Sequence, residues 1–141
     1  MLKTIPSILS PELLKILMEM GHGDELVISD GNYPSASMNE RVVRLDGHQA
    51  VDVLEAVLQL FPLDTYAENA FLMEKVSGDT VETPIWEQFR EIAEAKDPAF
   101  KGFGMLERYA FYERSKSAYA IIATGETALY ANVILKKGVV V

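Results

Sequence analysis

Short apolar runs rich in β-branched residues alternate along this chain with segments that open on a helix-start signal. The first such signal is Ser10-Pro11-Glu12, which supplies a capping hydroxyl, a first-turn proline and an acidic residue facing the positive end of the helix dipole. We predict a helix over residues 11–20, ended by a glycine, and then a buried strand, ELVIS, over residues 25–29. This alternation constrains the fold more than any other feature of the sequence.

The alternation continues to the end of the chain and predicts the fold class. Further strands are predicted at 41–45, 71–76, 118–124 and 130–135, with helices from a cap at Asp46 to Phe61, from Thr83 to about Asp97, and over 111–117. Residues 78–83 and 98–104 are expected to be loops. A short turn joins the last two strands, which allows one antiparallel strand. The pattern favours an α/β fold: three layers, with a mostly parallel or mixed β-sheet flanked by helices.

The charge of the chain argues against partners that carry phosphate. A formal net charge of -8 disfavours nucleic acid and anionic membrane surfaces, because both are bound through clustered Lys and Arg. The sequence has no cysteine, which excludes disulfides, thiolate zinc sites and a cysteine nucleophile. No apolar run approaches the roughly 20 residues that span a bilayer, and no signal-peptide cleavage site follows the apolar start. We expect a cytoplasmic protein with no nucleic-acid or membrane partner.

One of the two histidines lies in the connection between the first helix and the first strand, in the stretch MGHGDELVISD. His22 stands between two glycines, so neighbouring side chains do not cover its imidazole. Two roles are open: a bond to the last carbonyls of the helix, or general acid/base catalysis by an accessible imidazole. A metal site combining the two histidines with Asp24 and Asp30 is not favoured, because such spacing is common by chance.

Polar side chains also stand where predicted strands begin or end. Asp30 follows the first strand, where α/β sheets bind ligands, although an Asp before Gly-Asn is also a common turn former. Tyr130 and Asn132 are two residues apart on the last predicted strand, so they are expected on one side of it. A phenol and an amide together suit an uncharged, hydroxyl-rich ligand. Alternatively, the phenol packs in the core and the amide satisfies a sheet edge.

Two long segments, MGHGDELVISD and RYAFYERSKSAYAIIATGETALYANVILKKG, closely resemble the L-fucose mutarotase / D-ribose pyranase family. The similarity covers essentially the whole chain, including SPELLK and VRLDG, and FYER, LKKG and Gly-His-Gly-Asp resemble the fucose branch more than the ribose branch. The resemblance implies a single sugar mutarotase domain over residues 1–141. It also implies an isomerase that interconverts the anomers of a free monosaccharide, foremost L-fucose, with no cofactor and no metal.

The resemblance further implies roles for individual residues. In the family the acid/base is the histidine of the GHGD motif, here His22. The positions that match the family's sugar-binding residues are Asp30, Arg108, Tyr130, Ala131 and Asn132. Members are expected to be homo-oligomers with sites near subunit interfaces, where the Tyr-x-Asn segment of one copy approaches the histidine of another. A non-catalytic monosaccharide-binding or regulatory protein, and a ribose-type pyranase, are the alternatives.

Overall fold

Five helices and six strands make up the computed structural model, which describes all 141 residues. In chain order they are α1 (Pro11–Glu19), β1 (Glu25–Ser29), α2 (Ser35–Met38), β2 (Val42–Leu45), α3 (Ala50–Leu58), β3 (Ala70–Met73), α4 (Ile85–Lys96), β4 (Gly104–Leu106), α5 (Arg108–Ser117), β5 (Ala120–Thr124) and β6 (Val133–Lys136). None of the helices combines the length and apolarity that crossing a membrane requires.

The six strands form one mixed sheet in the order β2-β5-β1-β6-β3-β4. β1 pairs in parallel with β5, β5 with β2, and β3 with β4, whereas β6 is antiparallel to both β1 and β3. The predicted α/β class and the single antiparallel strand near the end of the chain are confirmed. The last two strands are not neighbours, however, because β1 lies between β5 and β6. Their connection therefore passes over the carboxyl end of β1 and does not form a hairpin.

Helices cover both faces of the sheet. In β1, Leu26 and Ile28 belong to the larger core cluster, which includes apolar residues of α1, α3 and α4. Val27 points to the opposite face, where it belongs to a second cluster with Phe111 of α5. The predicted three-layer arrangement is confirmed. Burial of the central strands on both faces explains why their sequences are almost continuously apolar.

Helix starts show where local sequence signals hold and where they fail. The Ser10 hydroxyl accepts the backbone N–H three residues on at 3.2 Å, as predicted for the cap of α1. The cap predicted at Asp46 is wrong, because that carboxylate accepts two hydrogen bonds from the Arg44 guanidinium, at 2.9 and 2.8 Å. α3 begins at Ala50, whose N–H donates to the carboxylate of Glu126 at 3.2 Å. A residue distant in sequence thus caps this helix.

Other boundaries also differ from prediction. α5 begins at Arg108, three residues early, because the carboxylate of Glu107 accepts the next amides, those of Tyr109 and Ala110, at 2.9 and 3.2 Å. The sequence did not predict the one-turn helix α2. It also missed β4, which starts at the end of a predicted loop. β4 is defined by parallel pairing with β3, a contact between segments about thirty residues apart.

Candidate functional site

At the carboxyl end of β1 and the start of β6, two polar side chains hydrogen bond to each other. Asp30 follows β1 and Asn132 precedes β6. The backbone N–H of Asp30 donates to Asn132 Oδ1 at 2.9 Å, and Asn132 Nδ2 donates back to Asp30 Oδ2 at 3.1 Å. Both residues are buried, with 7% and 4% of their surface exposed. These two bonds fix the carboxylate and the amide in one orientation relative to each other.

Backbone amides also reach the Asp30 carboxylate. The N–H of Asn32 lies 3.0 Å from Oδ1. Burial raises the pKa of the Asp30 carboxyl above its ordinary value, although the amides of Asn32, Asn132 and Ala131 act in the opposite direction. The methyl group of Ala131 is itself fully buried. The carboxylate is therefore fixed and partly withdrawn from water, which strengthens its hydrogen bonds to a ligand hydroxyl.

Tyr130 lies in the turn before β6, with a left-handed φ of 57°. The prediction that it begins the last strand is therefore wrong. This conformation costs a side-chain-bearing residue about 1–2 kcal/mol, and the indole N–H of Trp86 supports it by donating to the Tyr130 carbonyl at 2.8 Å. The phenol donates to Asp79 at 2.6 Å and accepts the N–H of Val76 at 3.2 Å. The loop after β3 thus holds the phenol in place.

Arg108 supplies a positive charge at the start of α5. Its Nε donates to the phenol oxygen of Tyr112 at 3.0 Å, and its guanidinium carbon lies 5.4 Å from the centroid of that ring. The side chain is exposed. Because the contact to Tyr112 uses Nε, the two terminal nitrogens remain free to bind a ligand.

A hollow of about 310 Å³ joins these groups. It is lined by Asp30, Arg108, Tyr130 and Asn132, together with Asn32, Tyr33, Met73, Asp79, Tyr112 and Leu129. A hollow of this size holds a small molecule, and its carboxylate, guanidinium, phenol and amide groups can bind the hydroxyls of a neutral polyol. Sequence reasoning missed several of these residues. Tyr112 lies in the aromatic run of α5, a pattern that is typical of an exposed helix face or of a binding surface. Asp79 lies in a predicted loop, where no sequence motif indicates a site.

His22 lies at the opposite end of β1. Its Nε2 is 3.0 Å from Asp64 Oδ1, and its ring centroid is 5.4 Å from that of Tyr66. The imidazole thus bonds to a carboxylate and not to the last carbonyls of α1. Four residue steps of roughly 3.3 Å make β1 about 13 Å long, so the strand separates His22 from Asp30. Within one chain, four of the predicted sugar-binding residues line the hollow: Asp30, Arg108, Tyr130 and Asn132. The side chain of Ala131 is buried and is not part of the lining, and the histidine lies apart.

The residues considered for a metal ion do not assemble. No three His, Cys, Asp or Glu side chains are grouped as metal ligands. Asp24 accepts the N–H of Gly21 at 2.7 Å and stabilises the turn after α1. His48 is exposed just before α3.

Comparison with known proteins shows what this chain is similar to. The RbsD / FucU transport protein family matches residues 3–140. The fucose mutarotase of Danio rerio is 49% identical over 147 aligned residues, which cover 99% of this chain and 94% of the relative. The crystal structure of the Streptococcus pneumoniae fucose mutarotase in complex with L-fucose is 52% identical, with a TM-score of 0.92 and coverage of 99% and 100%. FucU from Bifidobacterium longum is 55% identical, with a TM-score of 0.94 and coverage of 97% and 99%. Since the match spans nearly the whole chain at about half identity, this protein belongs to the RbsD / FucU family.

Proposed function

We propose that this protein is a fucose mutarotase, an isomerase that interconverts the α and β anomers of free L-fucose. The observation that carries the proposal is the reciprocal Asp30–Asn132 pair, which opens into a hollow lined by a phenol and a guanidinium. Relatives at 49% and 52% identity are named fucose mutarotases, and one of them is in complex with L-fucose. A ribose-type pyranase or a non-catalytic binding protein is therefore not favoured.

Anomer exchange requires only proton transfers. A base removes the proton of the anomeric hydroxyl, and the electron pair of that O–H bond forms the C1=O bond. The electron pair of the C1–O5 bond moves to the ring oxygen, which takes up a proton from an acid. Rotation about C1–C2 and the reverse steps then give either anomer. Two groups, one accepting and one donating a proton, are enough.

In this proposal His22 takes the proton of the anomeric hydroxyl. The proton for the ring oxygen comes from a second group. Water, a carboxyl group and the phenol of Tyr130, once its O–H turns away from Asp79, are the candidates. Asp30, Arg108 and Asn132 hold the sugar hydroxyls, as does the backbone between the phenol and the amide. The reaction needs no nucleophile and no change of oxidation state.

We further propose that each site is completed by two copies of the chain in a homo-oligomer, so that the imidazole of one copy meets the hollow of another. The separation of His22 from the hollow along β1 supports this arrangement. Exposed carbon-rich side chains lie at both places: Tyr66, 80% exposed, beside the imidazole, and Leu129, 52% exposed, at the hollow. A subunit interface would cover both. The cytoplasmic location and the single mutarotase domain over residues 1–141 stay predictions.

Saturation-transfer NMR between the α and β anomers tests the proposed function. Catalytic amounts of the protein should accelerate exchange of L-fucose, and His22→Ala should remove the acceleration without loss of fold. Unchanged exchange in that variant would refute the role of the imidazole. Sugar binding by the native protein without faster exchange would instead identify a binding protein, and a panel including D-ribose would identify a pyranase.

A further inference from the structure

A hydrogen bond between two side chains of the hollow has a fixed direction. The phenol oxygen of Tyr130 lies 2.6 Å from Asp79 Oδ2, and both residues line the hollow. The other oxygen of the same carboxylate accepts the N–H of Val81 at 3.0 Å. An ionised carboxylate has no proton of its own and only accepts hydrogen bonds. The hydrogen of the phenol therefore points at the carboxylate and not at a ligand in the hollow.

The loop after β3 is shaped to hold this contact. The N–H of Asp79 donates to the carbonyl of Val76 at 2.9 Å and closes a turn in which Gly78 has a φ of 85°, a left-handed value that favours glycine. The N–H of Val76 donates to the phenol oxygen at 3.2 Å, while the indole of Trp86 holds the carbonyl of Tyr130. One turn thus gives the phenol both an acceptor and a donor. A hydroxyl oxygen has two lone pairs, so one remains for a ligand.

We infer that Asp79 is a positioning residue for Tyr130: by accepting the hydrogen of the phenol, it makes the phenol oxygen an acceptor for a hydroxyl group of the sugar. The inference rests on the proposed function, in which the hollow binds L-fucose. The phenol then contacts a hydroxyl that donates, and not the ring oxygen, which carries no hydrogen. Of the candidates for the second proton donor, water and a carboxyl group remain.

The charges around the pair agree with these protonation states. The hydrogen bond from the phenol holds the pKa of the Asp79 carboxyl below its usual range; a backbone N–H and the positive charge of Lys75 add to this shift, and burial opposes it. The carboxylate in turn raises the pKa of the Tyr130 phenol, although a backbone N–H and the guanidinium of Arg108 act in the opposite direction. At neutral pH the carboxyl group is therefore ionised and the phenol keeps its proton.

Asp79→Asn reverses the contact with little change of shape. The amide oxygen can still accept the N–H of Val81, which leaves the amide nitrogen in the place of Oδ2. An amide nitrogen donates, so the phenol accepts it and turns its own hydrogen away from residue 79. The matched control is Glu82→Gln, which removes one negative charge from the same loop. Glu82 is exposed and does not line the hollow.

Titration of the tyrosine ¹³Cζ resonances tests the direction of the hydrogen bond. The resonance of Tyr130 is identified by its absence from the spectrum of Tyr130→Phe. Its pKa should lie above the ordinary value of 10.0 in the native protein, should fall in Asp79→Asn and should not change in Glu82→Gln. An equal pKa in the native protein and in Asp79→Asn overturns the inference. A native pKa at or below 10.0 does so too, and that measurement requires no variant at residue 79.

A double-mutant cycle on the affinity for L-fucose tests the positioning role. Asp79→Asn should weaken binding about 3- to 10-fold, the loss expected for one hydrogen bond, because the phenol oxygen is no longer a fixed acceptor. In the Tyr130→Phe background the same change should alter affinity less than about twofold. Glu82→Gln should keep the affinity of its parent in both backgrounds. An equal loss in both backgrounds would mean that residue 79 binds the sugar by itself, and no loss in either would mean that the bond has no effect on binding. Either result refutes the positioning role.

The exchange kinetics separate binding from proton transfer. The losses in Asp79→Asn and Tyr130→Phe should fall on KM, because a group that accepts a hydrogen bond from a sugar hydroxyl acts on binding. A fall in kcat of about 10²-fold or more in Tyr130→Phe is the size expected for the loss of an acid or a base. That result would show that the phenol transfers a proton, and it would overturn the inference.

These outcomes are distinct from those of the proposed function. If the native protein binds L-fucose without accelerating exchange, the mutarotase activity fails, while the affinity cycle still decides the role of Asp79. If exchange is accelerated but the cycle shows no coupling between the two residues, the activity stands and the positioning role is wrong.

Discussion

A site shared between two copies predicts that two inactive variants restore activity to each other. His22→Ala removes the imidazole and leaves the hollow intact, whereas Asp30→Asn alters the hollow and leaves the imidazole intact. In an oligomer mixed at random in equal amounts, half of the imidazoles and half of the hollows are native. About one quarter of the sites then combine both native parts, so exchange should recover to about one quarter of the native rate.

The assay uses co-expression of the two variants, with the ratio of copies measured by intact-mass spectrometry. Saturation-transfer NMR on L-fucose gives the exchange rate of the mixture and of each parent. Asp30→Asn keeps the size of the side chain and one oxygen to accept the N–H of Asn32, and circular dichroism checks the fold of every sample. The matched control mixes His22→Ala with a variant carrying both substitutions. It contains no native imidazole and should not recover.

The refuting result is equally specific. If oligomers containing both copies exchange fucose no faster than the sum of their parents, the imidazole and the hollow of different copies do not form a common site. A recovery close to the full native rate would also contradict random sharing, because no more than about one quarter of the sites can be complete.

Four further predictions concern the side chains of Glu126, Asp30, Asn132 and Tyr130. The buried Glu126 carboxylate accepts three backbone N–H groups, so Glu126→Gln should lower the free energy of unfolding by about 1–3 kcal/mol, measured by urea denaturation at fixed protein concentration; an unchanged midpoint would contradict the capping role. Burial raises the pKa of Asp30 above its ordinary value of 3.8. As the pH is lowered, fucose affinity should therefore begin to fall while the pH is still above that value, because the carboxylate is already becoming protonated. Asn132→Leu removes a donor to the ionised form and should raise this pKa further, which ¹³C NMR of the carboxyl carbon would show. Tyr130→Phe should weaken fucose binding about 3- to 10-fold, the loss expected for one hydrogen bond between the phenol and a sugar hydroxyl. Native affinity of the variant in an NMR titration would refute that hydrogen bond.

A local signal in the sequence was enough for α1, where the stabilising partner lies within one turn. Ser10 caps α1 through an amide three residues away, and both residues are visible in one short stretch. The start of α3 could not be found in this way, because Glu126 caps it from 76 residues away. The nearer acid, Asp46, offered a plausible cap and pairs with an arginine instead. The order of the strands also depends on contacts between distant residues, since β1 lies between β5 and β6, which are consecutive in sequence.

In the candidate site, too, local features could be predicted from the sequence, whereas contacts between distant residues could not. The position of Asp30 after a buried strand predicted a ligand crevice, and the structure has a hollow there. The hydrogen bonds that define the hollow join residues 102 apart, Asp30 and Asn132, and no periodicity reports such a contact. The left-handed turn at Tyr130 was also invisible, because a tyrosine in an apolar run predicts a strand. The partner of His22 was missed because Asp64 follows Pro62-Leu63 in a stretch with no motif.

The antiparallel direction of β6 explains why the two parts of the proposed site lie at opposite ends of one chain. Because β6 runs against β1, its start meets the carboxyl end of β1, which brings Asn132 to Asp30. Its end meets the start of β1, where Lys137 binds the loop of His22. One strand therefore organises both the hollow and the imidazole and, being rigid, keeps them apart. A change of loop conformation cannot bring them together across a strand about 13 Å long, whereas a second copy can, without deforming either one.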